Sequence, residues 1–411
     1  MATLASESAP QGHVDPLDVS RPELYRDDLW HAPFRRLRAE APVYRCEHSD
    51  FGPYWSLSTY KPIVQAESLP EIFSSHAGGI TIADLQDGDI KMPMFIAMDR
   101  PKHTGQRRTV APAFTPSEMV RLSDNIRTRT AEILDSLPVG ESFDWVDRVS
   151  IELTTQMLAI LFDFPWAERR LLTYWSDWAG DIEIAKDPAR KEERRKILFE
   201  CAAYFGELWK AKLGKEPTPD LISMMIHSDA MSEMDQMEFL GNLILLIVGG
   251  NDTTRNSMSA CAWGLEQFPG ERAKLEADPA LIPNAVQEII RWQTPLAHMR
   301  RTATQDTELE GQKIREGDKL ILWYLSANRD ESIFPDGDRI IVDRENARRH
   351  LAFGHGIHRC VGARLAELQI SVLLEEMAKR RLRANVIAEP ERVAACFVHG
   401  YRKMPVELSR Y

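Results

Sequence analysis

A chain of 411 residues with 44% hydrophobic content can bury a sizeable core, as one large unit or as two or three domains. Its 51 basic residues against 62 acidic ones leave a net charge of −11, which argues against nucleic acid as a partner. The five cysteines, Cys46, Cys201, Cys261, Cys360 and Cys396, are scattered without C-x-x-C pairs, so the chain suits a reducing compartment and no disulfide framework is expected.

Residues 1 to about 20 are polar and small and read as a loose arm. They show no basic stretch leading into an apolar one, so no signal peptide is expected and the protein is placed in the cytoplasm. From Arg21 to about Ser75, short helices mix with β-like runs such as Pro53–Ser58. His76–Met98, rich in glycine, aspartate and apolar residues, shows no period and reads as a long loop, which in a compact domain is usually functional or mobile. Asp99 is suited to cap a helix beginning there. His103 and Arg107 share a face of it; taken alone, such a pair solvates the surface.

Between 117 and 229, helical patterns (Ser123–Ser136, Trp145–Leu161, Glu168–Ser176, Arg194–Leu213) alternate with short polar links. The tract Lys186–Lys196 reads as a solvated helix face. Tyr174–Ile184 reads equally as a substrate entrance or as core. Ser232, with Asp235 three residues on, marks the start of a long helix that runs to Pro269-Gly270 and is long enough to cross the molecule. Its most apolar run, Leu243–Gly250, is far too short to span a bilayer. Gly249, Gly250, Asn251 and Asp252 then weaken the helix at its most buried point, which points to function. The plain alternative is a kink with a back-bonding threonine.

Pro283–Trp292 reads as a short helix in which Glu288 and Arg291 are close enough to pair. Leu296–Ala303 turns extended, Lys319–Tyr324 is a strand, and Phe397–Tyr401 with Met404–Leu408 reads as a terminal hairpin. Between them lies His350–Arg364, which carries Phe353, Gly354, Gly356, His358, Cys360 and Gly362 in the pattern F-G-x-G-x-H-x-C-x-G. Glycines let such a segment fold back close to a flat ligand. A cysteine at the mouth of a helix, here one running to about Arg381, meets unpaired N–H groups that favour thiolate. A thiolate so held suits a haem iron as axial ligand. A lone cysteine beside a glycine turn is otherwise a small buried hydrophobe.

The pattern resembles the haem-binding loop of the cytochrome P-450 monooxygenases. The resemblance spans roughly Pro53 to the C-terminus. Gly249-Gly-Asn-Asp-Thr-Thr254 matches the family's oxygen-binding motif, and Glu288-x-x-Arg291 and Asn328-Arg-Asp330 stand in the family's order. It implies a mainly α fold with a smaller β region: a single triangular domain, 21–411, with a long central helix over the haem. It also implies that the 76–98 loop covers the distal pocket. Cys360 would ligate the iron of haem b, within a loop that includes Phe353, Gly354, His358 and Gly362. His103, Arg107 and Arg301 would hold the propionates. Glu288 and Arg291 would form a buried network with Arg339 or Arg344.

Asp252 and Thr253 supply a carboxylate and a hydroxyl able to feed protons to bound O2. Leu245, Val248 and Gly249 share a helix face with Thr253; with Leu296, Ala297, Phe397 and Val398 they make an apolar wall. No flavin or nicotinamide domain is recognisable, so electrons are expected from a [2Fe–2S] ferredoxin and its NAD(P)H-dependent reductase. Arg348, Arg349, Arg359 and Arg364 either dock that acidic partner or serve solvation and propionate binding. The segments 249–256, 298–304 and 397–403 most resemble the soluble bacterial alkane and fatty-acid terminal hydroxylases, with a terpenoid or steroid-like substrate as the alternative. A monomer acting on an apolar small molecule is expected. A gas sensor, peroxygenase or isomerase would need neither Asp252 nor Thr253.

Overall fold

The computed structural model describes residues 15–86, 89–180 and 188–411. Expectations for residues 1–14, and the portions of Tyr174–Ile184 and Lys186–Lys196 that fall within 181–187, lie outside the described residues.

The fold is mainly helical and is built around one long helix, Gln236–Gln267. Its buried face runs almost its whole length, from Leu240 to Leu265, because apolar and small residues recur on every turn. It packs against Glu152–Phe162, Arg170–Gly180, Ile282–Gln293 and Ala363–Lys379. Asp235 caps it, accepting from the N–H groups of Met237 at 2.9 Å and Glu238 at 2.8 Å. The expected cap, Ser232, lies outside the helix; a carboxylate at the N-cap makes charge-assisted bonds to orphan N–H groups and wins. The helix is continuous through Gly249–Thr254. There Gly250 admits the neighbouring helix, since a Cβ would stand 2.7 Å from Leu158 Cδ2.

The β region sits to one side. Its main sheet orders Val43–Cys46, Tyr54–Leu57, Lys319–Leu322, Met299–Ala303 and Phe73–Ser74, with only Tyr54–Leu57 and Lys319–Leu322 parallel. Trp55 meets Leu320 and Met299 meets Leu322 in register, so the sheet's inner face is apolar.

Three further local expectations change. Residues 15–20 are packed rather than loose: Leu17 and Val19 are buried, Tyr25 Oη donates to the Val19 carbonyl at 2.8 Å and Tyr54 Oη to Asp18 at 3.0 Å. Asp99 does not cap a helix. The helix starts at Lys102 after Pro101, while the Asp99 carboxylate takes the Ser75 N–H at 3.1 Å and the Ser74 hydroxyl. The terminal hairpin does not form either. Tyr401–Lys403 pairs with Glu391–Arg392, and Pro405–Arg410 pairs with Leu382–Val386 and Ser142–Asp144. Val406 opposite Val386 and Leu408 opposite Ala384 bury a shared apolar face that the nearer segment does not offer.

Candidate active site

A cavity of about 1480 Å³ lies between the central helix and the cysteine loop. That exceeds the roughly 300–1,000 Å³ of an ordinary ligand pocket, enough for a large flat group and a second molecule. Leu245, Val248, Gly249 and Thr253 line it from above, and Phe353, Gly354, Cys360 and Gly362 from below. Leu296, Phe397 and Val398 close the side, where Leu296 and Val398 form an isolated antiparallel bridge. Ala297 does not reach the cavity. It is fully buried behind the wall, among Trp323 and Leu325, because successive residues of an extended segment point to opposite sides.

The described parts of the loop, residues 76–86 and 89–98, line the cavity as a lid. Its first half is tied to the sheet: the Ile82 N–H donates to His298 Nε2 at 3.2 Å, and Lys319 Nζ donates to the Ile82 carbonyl at 3.0 Å. Arg300 and Lys319 both grip Asp84, at 2.6 and 2.7 Å. Its second half is tied to the central helix by the Phe95 N–H, which donates to Asn242 Oδ1 at 3.0 Å.

At one rim of the cavity stand His103, Arg107, Arg301 and His358. The two imidazoles lie 4.3 Å apart, and all four of their ring nitrogens are buried without a hydrogen-bond partner among the described residues. Buried polar groups are normally satisfied, so these orphans call for an acceptor-rich ligand. Burial and the neighbouring arginines push His103 down to about 4 and His358 to about 2, so both are neutral donor–acceptor rings at ordinary pH. Arg107 Nη2 holds the Arg359 carbonyl at 2.5 Å, and Arg301 Nη2 holds Glu67 at 3.0 Å. Glu67 and Tyr324 line the same end of the cavity.

On the central helix, Thr253 Oγ1 donates back to the Gly249 carbonyl at 2.8 Å. Asp252 is buried and accepts from Ser176 Oγ at 3.0 Å, Asn251 Nδ2 at 3.2 Å and Arg255 Nη2 at 3.0 Å. Burial pushes its carboxyl up, Arg255 pulls it down, and Asp177, 2.8 Å from the same guanidinium, adds an upward push. A buried acid thus connects through Arg255 to a half-exposed carboxylate.

The Cytochrome P450 family model matches residues 277–380. Linalool 8-monooxygenase of Pseudomonas putida is 35% identical over 407 residues, covering 95% of this chain and 98% of that protein. The chain belongs to the cytochrome P450 family. The methyl-branched lipid omega-hydroxylase of Mycobacterium tuberculosis strain H37Rv is 34% identical over 402 residues, covering 93% of this P450 and 92% of that protein. The solved structure of CYP153D17 from Sphingomonas sp. PAMC 26605 superposes with a TM-score of 0.93 at 77% identity, covering 97% of this chain and all of that one.

As a P450 monooxygenase, the protein uses haem held by a cysteine thiolate, O2, and electrons from a redox partner. Its residues fit the group: an apolar slot, a cysteine at its base, and orphaned donors with two guanidinium groups at its rim. Of the five cysteines, four are buried and Cys360 alone is exposed, onto this cavity. Its N–H donates to the Phe353 carbonyl at 2.8 Å. The Gly362 N–H at the helix mouth favours the thiolate, as expected, but it is not the largest influence on Cys360. Burial pushes Cys360 up, outweighing the Gly362 N–H, Arg107 and Arg359. Iron bound at Cys360 would add to these groups, since a metal-bound thiol is deprotonated outright.

Glu288, Arg291 and Arg344 form one buried network, with Arg291 bidentate on Glu288 at 2.7 and 2.8 Å and Arg344 Nε at 2.9 Å. Arg339 contributes only its carbonyl, 2.7 Å from Arg291 Nη2. Among the described residues no helix is long and apolar enough to cross a membrane.

Proposed function

We propose that this P450 hydroxylates the terminal carbon of a medium-chain, apolar substrate, an alkane or fatty acid, with electrons from a [2Fe–2S] ferredoxin and its NAD(P)H-dependent reductase. The observation that carries it is the apolar wall of Leu245, Val248, Leu296, Phe397 and Val398 converging on Thr253. The relative named as a lipid omega-hydroxylase and the resemblance of segments 249–256 and 397–403 to terminal hydroxylases support the same substrate class.

Haem bound through Cys360 supplies activation of O2 for insertion of one oxygen atom into a C–H bond. His103, Arg107, Arg301 and His358 would hold the propionates, with Arg giving the charge-assisted grip on carboxylate. Thr253 would orient a proton donor over the cavity, and Asp252, held in place by Arg255, Ser176 and Asn251, would supply protons to it. The apolar wall excludes water and packs the chain. Each buried methylene contributes about 0.8 kcal/mol, roughly a fourfold gain in affinity, until the cavity is full. A methyl C–H is harder to break than its neighbours, so terminal selectivity comes from shape.

Arg348, Arg349, Arg359 and Arg364 are all exposed, and among the described residues none is ion-paired. That basic face beside the cysteine loop suits an acidic ferredoxin despite the chain's net negative charge.

The test is product analysis with a medium-chain alkane, the matching fatty acid, linalool and camphor, while the Soret band is titrated. Terminal alcohols from the linear substrates, with affinity rising along the series, are expected. Dominant turnover of camphor, or mainly mid-chain alcohols, refutes the terminal reading. Preferred oxidation of linalool favours an acyclic terpenoid instead.

A further inference from the structure

Glu67 is a buried carboxylate on the helix Tyr60–Ser68, and it faces the haem cavity. Three donors converge on it: Tyr324 Oη at 2.6 Å, Arg301 Nη2 at 3.0 Å and the His355 N–H at 2.8 Å. The cysteine loop wraps around it. Gly356 has φ +65°, and a Cβ there would fall on the Glu67 backbone carbonyl. Gly354 has φ +69°, and its Cβ would stand 3.5 Å from Tyr324 Oη and 3.6 Å from Glu67 Oε1. Gly356 thus lets the loop close over this glutamate, while Gly354 supplies the left-handed turn beside it.

We propose that Glu67 is a positioning residue of the haem pocket: as a carboxylate it fixes the Arg301 guanidinium and the cysteine loop as one unit, and its charge lowers the reduction potential of the bound iron. The inference rests on the haem-thiolate reading above.

Burial pushes the Glu67 carboxyl up, while Arg301, Tyr324 and the His355 N–H oppose that push. The Arg301 guanidinium and the His355 N–H can only donate, and Tyr324 Oη donates a third bond, so the ionised, acceptor-only form satisfies all three at once. In the ionised form Glu67 offsets one of the two guanidinium charges at the propionate rim. Adding an electron to iron beside a fixed negative charge is disfavoured, and a buried charge is screened far less than a surface one. Arg301 spends its other contact on the Arg300 carbonyl at 2.8 Å, so its orientation depends on Glu67.

The experiment is spectroelectrochemical titration of the holoenzyme and two variants, with the ferrous–CO spectrum recorded on each sample. Glu67→Gln removes the charge at nearly constant shape. It is expected to raise the potential, favouring ferrous iron about tenfold, or about 59 mV for one electron. Tyr324→Phe keeps the carboxylate but removes one neutralising donor, and is expected to lower the potential slightly. Opposite signs distinguish charge from packing. An unmoved potential in Glu67→Gln, or shifts of the same sign in both variants, overturns the proposal. Where Glu67→Gln fails to retain haem, Tyr324→Phe decides alone, and an unchanged or raised potential overturns it. Absence of the thiolate-type CO band in the parent enzyme would instead sink the haem-thiolate reading.

Discussion

Thr253 spends its hydroxyl proton on the Gly249 carbonyl, which leaves its lone pairs turned to the cavity as acceptors. In the proposed proton path, such a group would position a proton donor without binding haem or substrate. Thr253→Ala is expected to keep substrate affinity and NADH consumption while hydrogen peroxide replaces most of the product. General acid–base assistance is typically worth 10²–10⁴-fold, so the product yield per NADH should fall by at least about tenfold. Measuring product and peroxide against NADH checks it; unchanged coupling removes Thr253 from the proton path. For Cys360, the ferrous–CO complex should show the strongly red-shifted Soret band of thiolate ligation, and Cys360→His should lose it. Its retention would assign the iron to another ligand.

His298 is a third residue whose chemistry is local. Its Nδ1 donates to the Cys396 carbonyl at 2.8 Å and its Nε2 accepts the Ile82 N–H, so only the neutral ring joins the lid to the Phe397 turn. Burial lowers it from 6.5 to about 4. Between those values the unfolded chain binds the proton that the folded ring refuses, so stability is lost as pH falls from 6.5 toward 4. His350 and His399, lowered to about 3 and about 4, act in the same direction. Thermal unfolding at pH 7 and pH 4.5 should show a lower midpoint at the acidic value, with a smaller drop in His298→Gln. An equal drop in that variant would show that His298 contributes nothing to it.

At the scale of elements, the central helix does its work through close approaches. A Cβ on Gly241 would fall on the backbone carbonyl of Pro93, so the lid's second half rests directly on the helix there. Gly241→Ala has only backbone to displace, and overpacking of this kind costs about 1–3 kcal/mol. Denaturant titration should show that loss, and the Soret titration should show weaker substrate binding because the lid shifts. The Glu288–Arg291–Arg344 network fixes the helix Ile282–Gln293 to the loop around residues 328–344, where Arg291 Nη1 also holds the Asn328 and Gly337 carbonyls at 2.6 and 2.7 Å. Arg291→Ala leaves Glu288 buried with one cation in place of two, and breaking a buried pair costs about 3–5 kcal/mol. Poor haem retention in that variant, with retention largely recovered in Arg291→Lys, which keeps a cation beside Glu288, would identify the lost charge as the cause.

At the scale of the whole molecule, the chain carries a net charge of −11, while Arg348, Arg349, Arg359 and Arg364 around the cysteine loop are exposed and are proposed to meet the ferredoxin. Electrostatic steering of an acidic ferredoxin predicts electron-transfer rates that fall as salt rises, since the Debye length is about 10 Å at 0.1 M. Arg364→Glu should slow reduction by ferredoxin several-fold without changing substrate affinity. Stopped-flow reduction compared with dithionite reduction checks it, and an equal loss with both reductants points to a damaged haem pocket instead.

What was legible in the chain by itself follows one physical line. Helix periods, the proline and threonine bounding the helix after Leu281, and the ten-residue cysteine pattern are set by neighbours within a few residues, so they can be read without a fold. Those signals were enough for the P450 family and for naming residues that the structure gathers around one cavity. Tertiary structure decided whatever depends on partners distant in sequence. Glu67 meets Arg301 across 234 positions and the His355 N–H across 288, and no local signal marks a lone glutamate in a short amphipathic helix. Ser176 reaches Asp252 across 76 positions. Arg344 rather than Arg339 completes the buried network because only its guanidinium points inward. Ala297 left the wall because an extended segment alternates its faces, and the last strands chose partners by shared apolar burial over nearness. Local sequence sets the conformations a segment prefers; burial decides which distant groups must satisfy one another.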